Sequence, residues 1–318
     1  MKLGSGAERA LLDLLAALDR VGYDFVAPTP ATHARVIARP DMRVARDLRG
    51  IFGWSLPFAP ETMPEALRPL LEVSELFEEA DGLLHSRVRV SRLGGRLFVH
   101  SAYPTDDKDA VFFGPDSYRF VDFIRAELTR APGARRLVDI GSGSGVGGIM
   151  AAAAVPGARI TLLDVNAAAL RFASINARYA GVDAELVEGD GLGAVSGLVD
   201  LVVANPPYIV DEEERDYRDG GDMRGARVSL DWTLEAAARL EPGGRMLLYT
   251  GVAIVDGRDA LREALEKELP GLGCSLRYRE LDPDIFGEEL EKPAYKQVER
   301  IAAVGAVVEA ARQQRAAP

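Results

Sequence analysis

The chain of 318 residues contains one cysteine and three histidines, and it lacks an apolar run long enough to cross a membrane. Cys274 has no second cysteine with which to form an intrachain disulfide, which suits a reducing cytoplasm. His33, His85 and His100 lie far apart in the sequence without ligand spacing, so no metal site is indicated. We therefore expect a cytoplasmic protein that binds neither a membrane nor a metal ion.

Positive charge is also scarce in this sequence. Asp and Glu together number 49 against 38 Lys and Arg, which gives a formal net charge of −11. Because non-specific affinity for nucleic acid comes mostly from neutralising phosphates, this balance disfavours a broad electrostatic grip on RNA or DNA. The apolar fraction of 47% and the charged fraction of 27% are typical of a globular protein.

The length favours two domains, and the residue pattern changes near residue 108. Before this point, apolar periodicity predicts helices over 7–21, 31–38, 42–52 and 64–80. Apolar and polar residues then alternate on both sides of Gly94 and Gly95, which predicts a β-hairpin over 84–103. We expect residues 1–108 to form a smaller helical domain that ends in a β-hairpin. Such a domain is compatible with a winged-helix-like fold and would recognise the substrate or a partner.

Strands and helices alternate regularly between residues 109 and 318, the second predicted domain. The predicted strands are 136–140, 159–164, 184–188, 199–204, 245–250, 274–281 and 300–308. The predicted helices are 116–129, 145–155, 167–180, 230–240 and 258–269. This alternation implies an α/β fold with a doubly wound, mostly parallel seven-stranded sheet of the Rossmann-like type. Two strands in succession at the end imply that the last one returns antiparallel.

A glycine-rich turn, VDIGSGSGVGG over 138–148, follows the first of these strands. Gly141, Gly143 and Gly145 allow the backbone to turn tightly and to approach a ligand closely. The ligand would then meet the free N–H groups that open the next helix. The segment also satisfies G-x-G-x-x-G when Gly148 is included, so a nicotinamide-dependent enzyme or a non-catalytic cofactor-binding module remains open on this motif.

Two acidic residues extend the predicted cofactor site. Asp164 ends the second strand of the α/β domain, where a carboxylate is expected to accept hydrogen bonds from ribose hydroxyls. Asp190 follows the third strand and is placed to reach an adenine amino group. Together with the glycine-rich turn, these carboxylates predict a site for a nucleotide-like cofactor.

The sequence VVANPPY, from Val202 to Tyr208, ends the fourth strand and indicates the chemistry. An amide or exocyclic amine is a poor nucleophile because its lone pair is delocalised. The side-chain carbonyl of Asn205 and the backbone carbonyl of Pro206 would accept both N–H hydrogens of such a group. Pro206 and Pro207 stiffen the loop, and Tyr208 offers a flat face for a planar substrate. The two motifs together predict methyl transfer from S-adenosylmethionine to nitrogen.

Residues 111–308 resemble a class I S-adenosylmethionine-dependent methyltransferase, and most of all the release-factor glutamine N-methyltransferases and their relatives that carry the NPPY motif. The resemblance is carried by Asp139, Gly141, Gly143 and Gly145 in DIGSGSG, Asp164 in LLDVN, Asp190 in EGD, and Asn205 to Ile209 in NPPYI. The segment FFGPDSYRF resembles the one that lines the methionine end of the cofactor in that family.

The resemblance implies S-adenosylmethionine as cofactor and two sets of site residues. The implied catalytic residues are Asn205, Pro206, Pro207 and Tyr208. The implied cofactor-binding residues are Gly114, Pro115, Asp116, Asp139, Gly141, Gly143, Gly145, Asp164, Asp190 and Asn205. A protein glutamine side chain is the methyl acceptor that the resemblance implies.

Two regions depart from the family, and the substrate is expected to lie with them. Residues 1–108 end in a hairpin, whereas the family has an all-helical N-terminal domain, and the segment that follows NPPY is particular to this chain. A nucleobase amine on RNA or DNA is therefore the alternative acceptor. Nine arginines of this region could form an arm that faces nucleic acid, or they could form a solvated face, and we favour the solvated face. They are Arg35, Arg39, Arg43, Arg46, Arg49, Arg87, Arg89, Arg92 and Arg96. The loop from Tyr217 to Gly221 is a candidate for gripping a protein substrate.

Overall fold

A computed structural model describes residues 5–73, 75–130, 133–210 and 218–312. By its internal contacts the chain forms two compact units. The first unit comprises Met1–Arg119, Gly143–Val146 and Ala167–Asp183, and the second comprises Phe120–Ser142, Gly147–Asn166 and Ala184–Pro318. In the described part of the chain, no helix is both long and apolar enough to span a membrane.

The regular elements are listed here in chain order. The α-helices are α1 (Ser5–Arg20), α2 (Pro30–Ile37), α3 (Leu48–Phe52), α4 (Pro115–Arg130), α5 (Val146–Ala152), α6 (Ala167–Ala180), α7 (Arg227–Ala237) and α8 (Ala260–Glu268). The strands are β1 (Phe77–Ala80), β2 (Leu83–Ser86), β3 (Val88–Leu93), β4 (Arg96–Ser101), β5 (Arg136–Ile140), β6 (Arg159–Asp164), β7 (Ala184–Glu188), β8 (Val199–Ala204), β9 (Leu240–Val255), β10 (Arg258–Asp259), β11 (Cys274–Asp282) and β12 (Arg300–Ala310).

The second unit is built on one sheet with the strand order β11-β12-β9-β8-β5-β6-β7. Strands β5 to β8 pair in parallel, and β8 continues in parallel with β9. Strand β12 lies between β9 and β11 and is antiparallel to both, while the two-residue β10 pairs with β9. The predicted α/β class and the mostly parallel seven-stranded Rossmann-like sheet are therefore confirmed, and so is the antiparallel return of the last strand.

The central strands are buried on both faces, which explains their nearly continuous apolar sequences. In β12, the eight residues Ile301 to Val308 are all buried. The main difference from prediction is β9, which extends over 16 residues rather than over 245–250. Its ladder with β12 continues to Ile254, because Gly251 occupies an ordinary paired position there and does not begin a turn.

The first unit contains two antiparallel hairpins where one was predicted. The hairpin of β3 and β4 turns at Gly94 and Gly95, both with positive φ, and confirms the expectation for that turn. A second hairpin, β1 and β2, turns at Asp81 and Gly82, whose φ angles are +53° and +76°. The predicted helix over 64–80 is therefore wrong in its second half, because an Asp-Gly pair is itself a hairpin signal. Only a 3₁₀ helix, Glu65–Glu72, forms in the first half.

The helix predicted over 42–52 is also shorter than expected. Helix α3 begins at Leu48, because the side chain of Asp47 accepts a hydrogen bond from the Gly50 N–H at 2.7 Å and caps the helix. A single turn of 3₁₀ helix, Pro40–Met42, precedes it. Because the Asp47 side chain binds the first turn of α3, the residues before Asp47 do not continue the helix towards the N-terminus.

Asn176 of α6 connects three parts of the first unit. Its side-chain oxygen accepts from the Val99 N–H at 2.8 Å, and its amide donates to the carbonyl oxygens of Val99 and Ser144 at 2.9 and 2.8 Å. The side chain is buried, so these bonds are shielded from water. Asn176 thereby joins strand β4 to residue 144 of the glycine-rich turn.

The hairpin arginines do not form a solvated row. Arg89 is buried, and its Nε donates to the Gly53 carbonyl at 2.9 Å. Arg92 donates to Asp19 at 2.9 Å and to the Tyr23 carbonyl at 2.7 Å, and Arg96 donates to the Ala180 carbonyl at 2.8 Å. These three guanidinium groups bond within the first unit, so the solvated-face interpretation is wrong for Arg89, Arg92 and Arg96, whereas Arg87 is exposed.

Candidate active site

The carboxyl ends of three neighbouring parallel strands meet at one edge of the sheet in the second unit. Ile140 pairs with Leu163 on β6 and with Ala204 on β8, so the residues that follow these pairs are Gly141, Asp164 and Asn205. Open α/β sheets bind their ligands at this edge. The structure thus brings together the first glycine of the turn, the strand-ending carboxylate and the NPPY asparagine.

The glycine-rich turn has the backbone conformation that glycine allows. Gly141, Gly143 and Gly145 have φ angles of +65°, +53° and +78°. A β-carbon on Gly141 would lie 2.7 Å from the Trp232 ring, whereas a β-carbon on Gly143 would meet nothing within 4 Å. Gly141 is therefore required for close packing, and the open space beside Gly143 is where a ligand can approach the turn.

Asp139 is placed to support this turn from within. Its side chain is 1% exposed, and its Oδ2 accepts from the Gly148 N–H at 2.7 Å. Burial, reinforced by the nearby charge of Asp164, raises the pKa of the Asp139 carboxyl to about 7, although the Gly148 bond opposes the shift. The Asp139 carboxyl therefore joins the end of β5 to α5 beneath the turn. An effect of Asp139 on cofactor binding would act through this hydrogen bond.

This raised pKa predicts a pH-dependent stability. The folded chain binds the Asp139 proton more tightly than the unfolded chain, so the contribution is full at low pH and is lost as pH rises towards 7. We expect the wild type to lose on the order of 2 kcal/mol of unfolding free energy between pH 5 and pH 8 relative to Asp139→Asn. Urea unfolding without ligand measures this difference. The exposed Asp183→Asn is the control, and a slope shared by all three proteins would contradict the assignment.

Asp164 and Asp190 have different surroundings at the ends of β6 and β7. Asp164 is 8% exposed, and its Oδ1 accepts from the Asn166 N–H at 2.9 Å. Asp190 is exposed and follows β7 directly. Beside it, the Leu192 N–H donates to Glu235 of α7 at 2.9 Å. Glu235 was missed in the sequence, although it lies three residues after Trp232 in a predicted helix and therefore on the same face.

The Asn205 side chain presents an unused acceptor. Its Oδ1 is buried and accepts no hydrogen bond from the residues that the structure describes. A buried acceptor without a donor costs about 1–3 kcal/mol, and a ligand that brings an N–H group would offset this cost. Asn205 therefore fits a substrate that carries an N–H group.

Three glycines from other parts of the second unit pack closely against Tyr208. A β-carbon on Gly225 would lie 2.1 Å from the Tyr208 carbonyl oxygen, and one on Gly220 would lie 2.7 Å from its Cα. A β-carbon on Gly251 of β9 would lie 2.4 Å from the Tyr208 ring. Gly220, in the loop predicted to grip a protein substrate, is thus needed for close packing against Tyr208.

The segment between β11 and β12, residues 283–299, contacts the chain that follows NPPY; we term it the connecting segment. The Val210 N–H donates to the Tyr295 hydroxyl at 2.9 Å, and Arg218 forms a buried ion pair with Glu289. Phe286, at a φ of +51°, places its ring 6.1 Å from that of Tyr208. The segment contains two 3₁₀ helices, Gly287–Glu291 and Pro293–Tyr295, between the two strands that were predicted in succession. Tyr217 lies outside the described residues.

The remaining predicted cofactor residues lie in the first unit. Gly114, Pro115 and Asp116 surround the start of α4, where the Ser117 N–H donates to the Gly114 carbonyl at 3.0 Å. Asp116 is buried. Gly143 and Gly145 also belong to the first unit, whereas Asp139, Gly141, Asp164, Asp190 and Asn205 belong to the second. Among the described residues, no group of three or more His, Cys, Asp or Glu is placed to hold a metal ion.

A glycine turn, a strand-ending carboxylate and an open sheet edge define a nucleotide-binding α/β enzyme. Residues 122–267 match the Methyltransferase small domain family. The Release factor glutamine methyltransferase of Deinococcus radiodurans is 32% identical over 216 residues, which cover 64% of this chain and 73% of that protein. The Release factor glutamine methyltransferase of Cereibacter sphaeroides is 30% identical over 229 residues, with coverages of 66% and 79%.

The chain belongs to the class I S-adenosylmethionine-dependent methyltransferases, in the family that includes these release factor glutamine methyltransferases. It is an N-methyltransferase that uses S-adenosylmethionine, as the two motifs predicted. The nicotinamide-dependent alternative is thereby removed. A shorter similarity links the chain to the Ribosomal RNA small subunit methyltransferase C of Hahella chejuensis, with 33% identity over 114 residues, 36% of this chain and 30% of that protein.

Proposed function

We propose that this enzyme methylates the side-chain amide nitrogen of a glutamine in a protein. The observation that carries the proposal is the buried Oδ1 of Asn205 at the carboxyl end of β8, which accepts no hydrogen bond from any residue that the structure describes. A primary amide supplies the N–H donor that this oxygen lacks. The two release factor glutamine methyltransferases that match about two thirds of the chain support the same acceptor class.

The NPPY residues would hold the amide in the reactive orientation. Asn205 Oδ1 accepts one N–H, the Pro206 carbonyl accepts the other, and Pro207 restricts the loop so that both acceptors stay in place. Because the two acceptors hold both hydrogens, the nitrogen lone pair points away from these acceptors. Tyr208 covers one face of the planar amide. When bound, S-adenosylmethionine supplies an electrophilic methyl group on a sulfonium. Positioning by the chain then accounts for most of the acceleration.

Asp164 is the residue that we propose for the ribose hydroxyls of the cofactor. Its carboxylate lies at the end of β6, beside the glycine turn in the strand order. We expect Asp164→Ala to weaken the binding of S-adenosylhomocysteine by about 1–3 kcal/mol, the loss of a charge-assisted hydrogen bond. Isothermal titration calorimetry measures this, with the exposed Asp183→Ala as control. Equal affinities in the two variants would count against the assignment.

A nucleobase exocyclic amine is the second candidate acceptor. It presents the same two hydrogens on a planar nitrogen, so Asn205 and Pro206 would bind it equally well. The similarity to a ribosomal RNA methyltransferase favours this candidate over other small amines. Our proposal includes residues 1–108 as the part that recognises the substrate or a partner.

Labelled S-adenosylmethionine distinguishes the two acceptors. The purified enzyme is incubated with purified bacterial release factors in one reaction and with ribosomal subunits in another. We expect label in a release factor that resists nuclease and disappears when one glutamine is changed to asparagine. Label confined to RNA, or a release factor that is never labelled while the RNA is, would overturn the proposal.

A further inference from the structure

Trp232 of α7 lies along the cofactor edge of the sheet. A β-carbon on Gly141 would lie 2.7 Å from its Cη2 and 2.9 Å from its Cζ3, while one on Gly191 would lie 3.7 Å from its Cδ1. The benzene edge of the indole therefore faces the turn after β5, and its pyrrole edge faces the turn after β7. The ring spans the ends of the strands that flank β6.

The strand between these two turns carries Asp164 at its end. Since β6 lies between β5 and β7 in the sheet, the indole extends past the position of this carboxylate. The ring is half-buried, so part of its surface remains available to a ligand. An adenosine whose ribose binds Asp164 would place its base against an aromatic wall of this kind.

Glu235 fixes the far end of this wall. Its Oε2 accepts the Leu192 N–H at 2.9 Å and would lie 2.4 Å from a β-carbon on Gly191. A side chain at position 191 would displace the Glu235 carboxylate, and the φ of +73° at this position is one that glycine favours. The Glu235 carboxylate thus fixes the turn after β7 next to the indole.

We propose that Trp232 forms the adenine-binding wall of the cofactor site, with Glu235 holding the turn at Gly191 open beside it. Stacking of a base on an aromatic side chain stabilises nucleic-acid complexes, and it tolerates any base because every base has a flat face. The hydrogen bond from the Leu192 N–H to Glu235 joins α7, the helix that follows NPPY in the sequence, to the turn after β7. The inference concerns the cofactor and does not depend on which substrate is methylated.

Tryptophan fluorescence tests the proposal directly, because the chain has only two tryptophans. The other, Trp54, packs against Phe25 in the first unit with ring centroids 5.2 Å apart. Titration with S-adenosylhomocysteine or with adenosine is expected to change the emission of the wild type and of Trp54→Phe, but not of Trp232→Phe. Methionine alone, which has no base, is expected to change none of them.

Affinity gives the second measurement. Trp232→Ala is expected to weaken S-adenosylhomocysteine binding about 10- to 100-fold, whereas Trp232→Phe retains an aromatic face and loses less. If Trp232→Ala does not fold, the emission change in Trp232→Phe decides the matter alone. An unchanged affinity in a folded Trp232→Ala, or an emission change that survives in Trp232→Phe and vanishes in Trp54→Phe, would overturn the proposal.

Discussion

Asn205→Ala is expected to reduce kcat by on the order of 10²–10³-fold and to leave the affinity for S-adenosylhomocysteine nearly unchanged. The reason is the buried Oδ1, which accepts no hydrogen bond within the described part of the chain and would accept one from the substrate amide. Its removal takes away an interaction that orients the reacting nitrogen without altering the glycine turn. Single-turnover rates with labelled cofactor, together with calorimetric titration of S-adenosylhomocysteine, separate the two effects.

Asn205→Asp is the matched variant for this experiment. It keeps an oxygen acceptor of nearly the same shape, so we expect it to retain more activity than Asn205→Ala. If both variants lose activity equally and both lose cofactor affinity, Asn205 acts on the cofactor or on the fold. If neither loses activity, the acceptor role of Asn205 is wrong.

Gly225→Ala is expected to reduce kcat/KM by about 100-fold through a shift of the NPPY loop. The added β-carbon would lie 2.1 Å from the Tyr208 carbonyl oxygen and 3.1 Å from the Ile209 nitrogen. Backbone atoms cannot rotate away as a side chain can, so Tyr208 and the residues before it must move. A displacement of about 1 Å in a positioning group is enough for a loss of this size.

Gly257→Ala provides the control for conformational strain. Gly257 has a φ of +69°, and a β-carbon there would meet nothing within 4 Å. Both variants therefore place alanine in the left-handed region, at a cost of about 1–2 kcal/mol, but only Gly225→Ala displaces Tyr208. Steady-state kinetics at matched folded fractions should show the loss in Gly225→Ala alone. Similar kinetics in the two variants would contradict this role of the glycine.

The parallel part of the sheet could be predicted closely, because β5, β6 and β8 are short, mostly apolar runs bounded by turn residues, and β7 is a short segment at the regular spacing after α6. The predicted bounds of β5, β6, β7 and β8 agree with the structure residue for residue. Periodicity fails where pairing is decided by distant residues. The length of β9 depends on the antiparallel ladder with β12, which no local pattern reveals.

The candidate site shows the same division. Gly141, Asp164 and Asn205 could be predicted because each follows a strand, and strand order alone brings them together. The contacts of Trp232, Glu235 and the connecting segment could not, because they depend on which helix or loop covers the sheet edge. Arg89 is the sharpest case, since an arginine in an alternating strand indicates solvent, yet here it is buried and bonded to the Gly53 carbonyl.

The buried amide oxygen of Asn205 is expected to lower the thermal stability of the protein while it supports methyl transfer. Among the described residues nothing donates a hydrogen bond to this oxygen, and a buried acceptor of that kind carries a cost that an apolar residue of similar size would remove. A laboratory selection that rewards survival at high temperature and ignores methylation would therefore enrich replacements at this position. Variants recovered in that way would be robust proteins with no ability to modify their target.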